Sequence, residues 1–185
     1  CEDDCKFGVS PHDLIAAADY SFAQGNNIYI AYARCFAQGN RPLPIMADHK
    51  VFAADRGSPA GSAQGGWVFK HVQTTDASQI TLATIPLTQD KSYALRILVA
   101  VRNTSTNTES ASFELAQATA YRDTAGAAVL VGSPVSLTRE DTGGGAVNLL
   151  ADLASSGNNI LLRVTGEAGQ TYEWMAMIQL VEVQG

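Results

Sequence analysis

From Gly66 to the end of the chain, apolar residues recur at every second position, and this period constrains the fold more than any other feature. Period two places one set of side chains on each face of an extended strand, a pattern that a helix does not produce. Trp67, Phe69 and His71 alternate with Val68, Lys70 and Val72; Ile80, Leu82 and Thr84 alternate with Thr81, Ala83 and Ile85. Tyr93, Leu95, Ile97, Val99 and Val101 form one face of a long strand, with Arg96 and Arg102 on the other. After a polar turn from Asn103 to Ser110, a second long strand carries Phe113, Leu115 and Tyr121 on one face. Further strands are expected at about 127–138, 146–152, 159–165 and 171–183, separated by Gly- or Asn-rich turns such as Gly143-Gly144-Gly145. About eight strands with turn chemistry between them predict a mainly β chain, an antiparallel β-sandwich or jelly roll.

The first 65 residues read differently. Ser10-Pro11-His12-Asp13 is a helix-start signature, with Ser10 as cap, Pro11 in the first turn and Asp13 near the positive end of the dipole. Leu14, Ala18 and Phe22 then recur every four residues, and Gly25 ends the pattern, which predicts a short helix. Residues 28–35 predict a strand, 41–66 a loop, and 54–65 within it a linker or long surface loop. The organisation expected is therefore an N-terminal attachment arm, 1–65, with one helix and one strand, followed by a β module, 66–185.

Composition narrows the function. The formal net charge is -6 and only 16% of the 185 residues are charged. An acidic chain lacks the basic patch that non-specific nucleic-acid binding needs. No apolar run reaches the roughly 18 residues of a membrane helix, so no membrane insertion is expected. Cys1, Cys5 and Cys35 are candidate disulfide partners, within or between chains. An N-terminal Cys also fits a processed, lipidated terminus.

Standard catalytic and cofactor motifs are absent: no Gly-x-Ser-x-Gly, no His-Glu-x-x-His, no phosphate-binding loop. No catalytic residue, cofactor or metal site is therefore expected, and the chain reads as a non-enzyme. Gly143-Gly144-Gly145 lacks a following Lys and reads as a turn. His12, His49 and His71 are scattered; Asp48 and His49 are adjacent, so on a strand they point opposite ways. The acidic Glu2, Asp3 and Asp4 read as a solvated terminus, and Arg139-Glu140-Asp141 as a charged surface turn. Tyr172, Trp174, Ala176, Ile178 and Leu180 share one face of the last strand, while Met175, Met177, Val181 and Val183 make the opposite face apolar too. One core covers only one of these faces. Trp174, Met175, Met177 and Val181 are accordingly the candidate subunit interface, with glycan contact at Trp174 as the alternative.

The stretch from Thr84 to Val183 resembles the β-rich modules at the ends of bacteriophage tail fibres and related virion appendages. The residues that carry the resemblance are Ile85-Pro86-Leu87 leading into Ser92–Arg102, Phe113-Glu114-Leu115 before Ala120-Tyr121-Arg122, Val129–Gly132 before Arg139-Glu140-Asp141, and Ile160–Gly166 leading into Tyr172-Glu173-Trp174-Met175-Ala176. The resemblance implies a structural or receptor-binding virion protein (fibre, spike or collar), a homotrimer at the particle surface. It also implies contacts to other virion proteins through the arm, and a host surface glycan or protein as partner. A capsid decoration protein, and a cell-surface lipoprotein or adhesin with a carbohydrate-binding sandwich, are the alternatives.

Overall fold

The computed structural model describes residues 7–9, 14–16, 21–26, 28–40, 42–53, 63–106, 110–132, 135–140 and 149–184. Among them the regular elements are strands: β1 (Phe7–Val9), β2 (Leu14–Ala16), β3 (Phe22–Asn26), β4 (Ile28–Ile30), β5 (Phe36–Asn40), β6 (Lys50–Ala53), β7 (Ala63–Thr74), β8 (Gln79–Pro86), β9 (Lys91–Asn103), β10 (Ser110–Arg122), β11 (Val129–Val131), β12 (Val135–Glu140), β13 (Leu150–Ser156), β14 (Asn159–Thr165) and β15 (Tyr172–Gln184). The chain divides into two compact units. Unit 1 lies within Cys1–Val68, Lys91–Tyr93 and Gln179–Gly185, and unit 2 within Phe69–Asp90 and Ala94–Ile178.

Unit 1 is a parallel coil. Strands β1, β3, β5 and β6 pair in parallel, and β2 pairs in parallel with β4. Phe22 pairs with Phe36, and Phe36 with Lys50, each fourteen residues on; Leu14 pairs with Ile28 at the same offset. Leu14 with Ile28 and Phe22 with Phe36 thus pair like residue with like, whereas Phe36 meets Lys50 and Gln38 meets Phe52. The pentapeptide Phe22-Ala23-Gln24-Gly25-Asn26 recurs unchanged as Phe36-Ala37-Gln38-Gly39-Asn40, residue opposite residue. Inward columns follow the same step: Ser21, Cys35 and His49 are buried, as are Ala23, Ala37 and Val51. The corner recurs as well. Arg34 and Asp48 both hold positive φ, 56° and 66°, and Arg34 Nε donates to Asp48 Oδ1 at 2.6 Å. Gly39, at φ 119°, sits where a Cβ would lie 2.1 Å from the Ala53 carbonyl oxygen, so the coils approach too closely there for any side chain. Strand β6 then pairs antiparallel with β7, and the order continues through β15 to β9.

The short helix expected after Ser10 is corrected here. Leu14–Ala16 and Phe22–Asn26 are strands on different sides of the coil, so the four-residue spacing of Leu14 and Phe22 is not a helical face. Ser10 to Asp13 and Ala18 lie outside the described residues, as do 54–62 of the expected linker. The strand expected at 28–35 ends at Ile30, and the loop expected from 41 contains β6.

Unit 2 follows the alternation more closely. Tyr93 and Leu95 to Val101 alternate buried and exposed along β9, Tyr93 itself falling in unit 1, and β14 spans 159–165 as expected. Sheet order in this unit is β7-β15-β9-β10-β11, with β12 also on β10, and β13-β14-β8 forms a separate antiparallel sheet. In β10 the buried positions change from odd (Ala111, Phe113, Leu115) to even (Ala118, Ala120), so Tyr121 does not share the face of Phe113. The strand expected at 127–138 is two, β11 and β12. Taken together, the chain is mainly β, and the expected antiparallel sandwich or jelly roll with an N-terminal helix is corrected to a mixed sheet plus a small antiparallel sheet, with no helix among the described residues. Nor is any helix long and apolar enough to cross a membrane.

Candidate functional site

The parallel coil of unit 1 decides where its aromatic residues go. Outward positions of β3 are Phe22 and Gln24, and the coil repeat stacks Phe36 and Gln38 directly over them. Phe22 and Phe36 lie face to face, ring centroids 5.0 Å apart and 11° from parallel. Phe36 to Phe52 is 5.7 Å and Phe52 to Trp67 is 5.3 Å, which extends the row across β6 onto β7. Contacts at these separations favour ordered rings. Phe22, Phe36 and Trp67 are half-buried and Phe52 is exposed, so the ladder shows a continuous aromatic edge to solvent. Beside it, Gln38 Nε2 donates to Gln24 Oε1 at 3.2 Å, and exposed Lys50 stands in register between Phe36 and Trp67. Opposite Phe52 the paired residue is Gly65, which leaves a notch of about 380 Å³ lined by Phe52, Gly65, Trp67, Gln179 and Val181.

A row of apolar ring edges beside a pair of amides offers a sugar chain two kinds of contact. The C–H groups of a pyranose pack against aromatic carbon, and its hydroxyls exchange hydrogen bonds with amides. Coils spaced about 4.8 Å apart repeat at roughly the length of one sugar ring.

Unit 2 presents a different surface. Met175 is 48% exposed, and with Phe69, Leu98 and Met177 it lines a shallow depression of about 650 Å³. Arg96 and Glu114 also line it, Arg96 Nε donating to Glu114 Oε1 at 2.9 Å; on the same unit Glu173 meets His71 Nε2 and Gln73 Nε2, each at 2.5 Å.

Residues singled out in the sequence fall as follows. Trp174 is fully buried in unit 2, 6.1 Å from Phe113, and its Nε1 donates to Thr74 Oγ1 at 2.9 Å, so it faces neither glycan nor partner. Met175 and Val181 are exposed and Met177 is half-buried. Cys35 is a buried thiol whose Sγ donates to the Met46 carbonyl at 3.3 Å; Cys1 and Cys5 lie outside the described residues, as do His12, Glu2 to Asp4, Asp141 and Gly143 to Gly145. His49 is a core residue. Its Nδ1 accepts from Ile45 N at 3.3 Å, and burial lowers its pKa to about 4. No cluster of potential metal ligands occurs among the described residues. The aromatic ladder itself escaped the sequence reading, although the exact repeat of five residues at an interval of fourteen announces a stacked coil.

No protein-family model and no curated protein matches the chain. The solved structures similar to it include two phage tailspike proteins. The tailspike protein of Acinetobacter baumannii phage AM24 is 14% identical, with 89% of this chain and 33% of that one covered, at a TM-score of 0.38. The tailspike protein gp49 of Acinetobacter baumannii bacteriophage Fri1, a capsular polysaccharide depolymerase, is 10% identical, with 89% and 32% covered, at a TM-score of 0.35. The chain thus spans about a third of the length of these structures. The expectation of a non-enzyme is corrected by the second neighbour, which is itself an enzyme. A missing standard motif is no ground for that exclusion, because paired carboxylates at a glycosidic bond leave no fixed spacing in sequence.

Proposed function

We propose that this chain is a module of a bacteriophage virion appendage, displayed at the particle surface, that engages a host surface glycan along the aromatic face of its parallel unit. The observation that carries the reading is the row Phe22, Phe36, Phe52 and Trp67, held at stacking distance and open to solvent beside the Gln24–Gln38 amides. An extended, hydroxyl-rich polymer is the ligand that uses every feature of that row. The sequence resemblance to phage appendage modules supports the same reading.

The exposed face of β15 has a separate role in this proposal. Met175, Met177 and Val181 serve as contacts between copies of the chain in a homotrimer, because thioether side chains fill irregular gaps and an open apolar face favours association. In the same proposal, residues 1–65 join other virion proteins away from the aromatic row.

Purified capsular polysaccharides titrated into the full chain, with binding read by calorimetry, test the glycan assignment. Replacing both Phe52 and Trp67 by Ala is expected to weaken binding at least about tenfold, the equivalent of roughly 1.4 kcal/mol. Unchanged affinity in a folded double variant would remove the ladder from the site.

A further inference from the structure

Three polar side chains meet in the interior of unit 1. Gln64 on β7 is 4% exposed, Lys91 at the start of β9 is 4% exposed, and Glu182 near the end of β15 is 1% exposed. Strand order places β15 between the other two, so Glu182 stands in the middle. Both nitrogens converge on the same carboxylate oxygen: Lys91 Nζ lies 3.2 Å from Glu182 Oε1, and Gln64 Nε2 donates to that oxygen as well. The Gln64 amide is clamped from its other side, since its Oε1 accepts from Leu43 N at 2.8 Å and its Nε2 donates to Leu43 O at 2.7 Å.

We propose that Lys91 and Gln64 form an intramolecular isopeptide bond, with Glu182 as the proton carrier between them. A buried cation and anion are costly to hold away from water, and moving one proton from the Lys91 ammonium to the Glu182 carboxylate leaves both neutral. Burial pushes the Glu182 carboxyl up, against the opposing pull of Lys91, Tyr93 and Gln64, which suits a group that takes up a proton.

Chemically the step needs nothing else. The Lys91 Nζ lone pair attacks Gln64 Cδ, and the negative charge that develops on Gln64 Oε1 falls where the Leu43 N–H already points. Glu182 returns its proton to Gln64 Nε2 as the Cδ–Nε2 bond breaks, then takes up the second proton that Lys91 Nζ sheds and passes it to the departing ammonia. Lysine ammonium and carboxamide become a secondary amide and ammonium, with no change of oxidation state and with the Glu182 carboxylate regenerated. Gathering nucleophile, acyl group and proton carrier around one buried carboxylate oxygen is the arrangement that lets such a reaction run without an enzyme. The product bolts β7 to β9 across β15. This inference is independent of glycan binding.

Intact-mass spectrometry of the full chain, followed by tryptic mapping, tests it. The expected result is a mass one ammonia below that of the sequence, a peptide from β7 joined to one from β9, and no tryptic cleavage at Lys91. Glu182→Ala and Lys91→Arg should each restore the full mass. A folded chain at full sequence mass would overturn the proposal. So would a mass one water short with Lys91 joined to Glu182, which would make Glu182 the acyl partner rather than the carrier. The unaltered chain decides the matter even where a variant fails to fold.

Discussion

Units 1 and 2 bury one side of a β-sheet by opposite connections. In unit 1 the chain returns to the same strand direction every fourteen residues, so Phe22 lies on Phe36, Gln24 on Gln38 and Ala23 on Ala37. In unit 2 turns reverse the chain, and no sequence repeat sets the pairs: Phe113 pairs with Thr138 and Leu162 with Ala83, while Ile160 pairs with Ile85. Where a coil repeats its sequence as well as its path, as 22–26 and 36–40 do, identical groups line up on its surface. An antiparallel sheet asks only that alternate positions be apolar. Surfaces made of repeated rings and amides therefore arise in unit 1, whereas unit 2 places its largest aromatic, Trp174, inside.

The sharpest test of that contrast is backbone proximity. Gly39→Ala puts a methyl group 2.1 Å from the Ala53 oxygen and should cost about 5 kcal/mol by denaturant unfolding. Gly157 in the β13–β14 turn also holds positive φ, 55°, but nothing lies within 4 Å of its would-be Cβ, and its replacement by Ala should cost only about 1 kcal/mol. Equal costs would mean that coil stacking is not what forbids a side chain at Gly39.

Truncating the two tryptophans separates core from surface. Trp174→Ala should lose about 4 kcal/mol, through the cavity and the orphaned Thr74 contact. Trp67→Ala should lose about 1 kcal/mol, the scale of one aromatic contact. A comparable loss at both would make the ladder a part of the core instead of a binding surface.

The inward column of unit 1 yields a pH effect. His49 stays neutral in the folded chain down to about pH 4, while its unfolded form takes up a proton near 6.5. The folded pKa is the lower one, so its contribution is complete above pH 6.5, declines between 6.5 and 4, and is gone below. The decline amounts to about 3 kcal/mol. His49→Gln keeps an acceptor for Ile45 N and should flatten the stability profile across that window, measured by unfolding at stepped pH. An unchanged slope would show that other groups set it.

Much of unit 2 was legible along the chain. Period-two alternation located β9, β14 and β15 to within a residue or so, because a strand with one buried face must alternate whatever its neighbours are. Unit 1 was misread although its signal is exact. Leu14 and Phe22 are spaced like a helical stripe, and that local pattern outweighed a repeat visible only by comparing residues 22–26 with 36–40. Local spacing cannot tell one helical face from the two sides of a coil.

The sequence by itself determined that the chain from Gly66 on is built of strands and, in β9, β14 and β15, which residues share a face. Tertiary structure alone decided which face is covered. It buries Trp174 and leaves Met175 and Val181 exposed, although both faces of that strand are apolar. It also decided that Gln64, Lys91 and Glu182 meet, 91 residues separating Lys91 from Glu182 and 118 separating Gln64 from it. Alternation is a property of one strand, fixed by the geometry of its own backbone. Neighbourhood depends on which strands lie side by side, and β15, last in the chain, lies between β7 and β9.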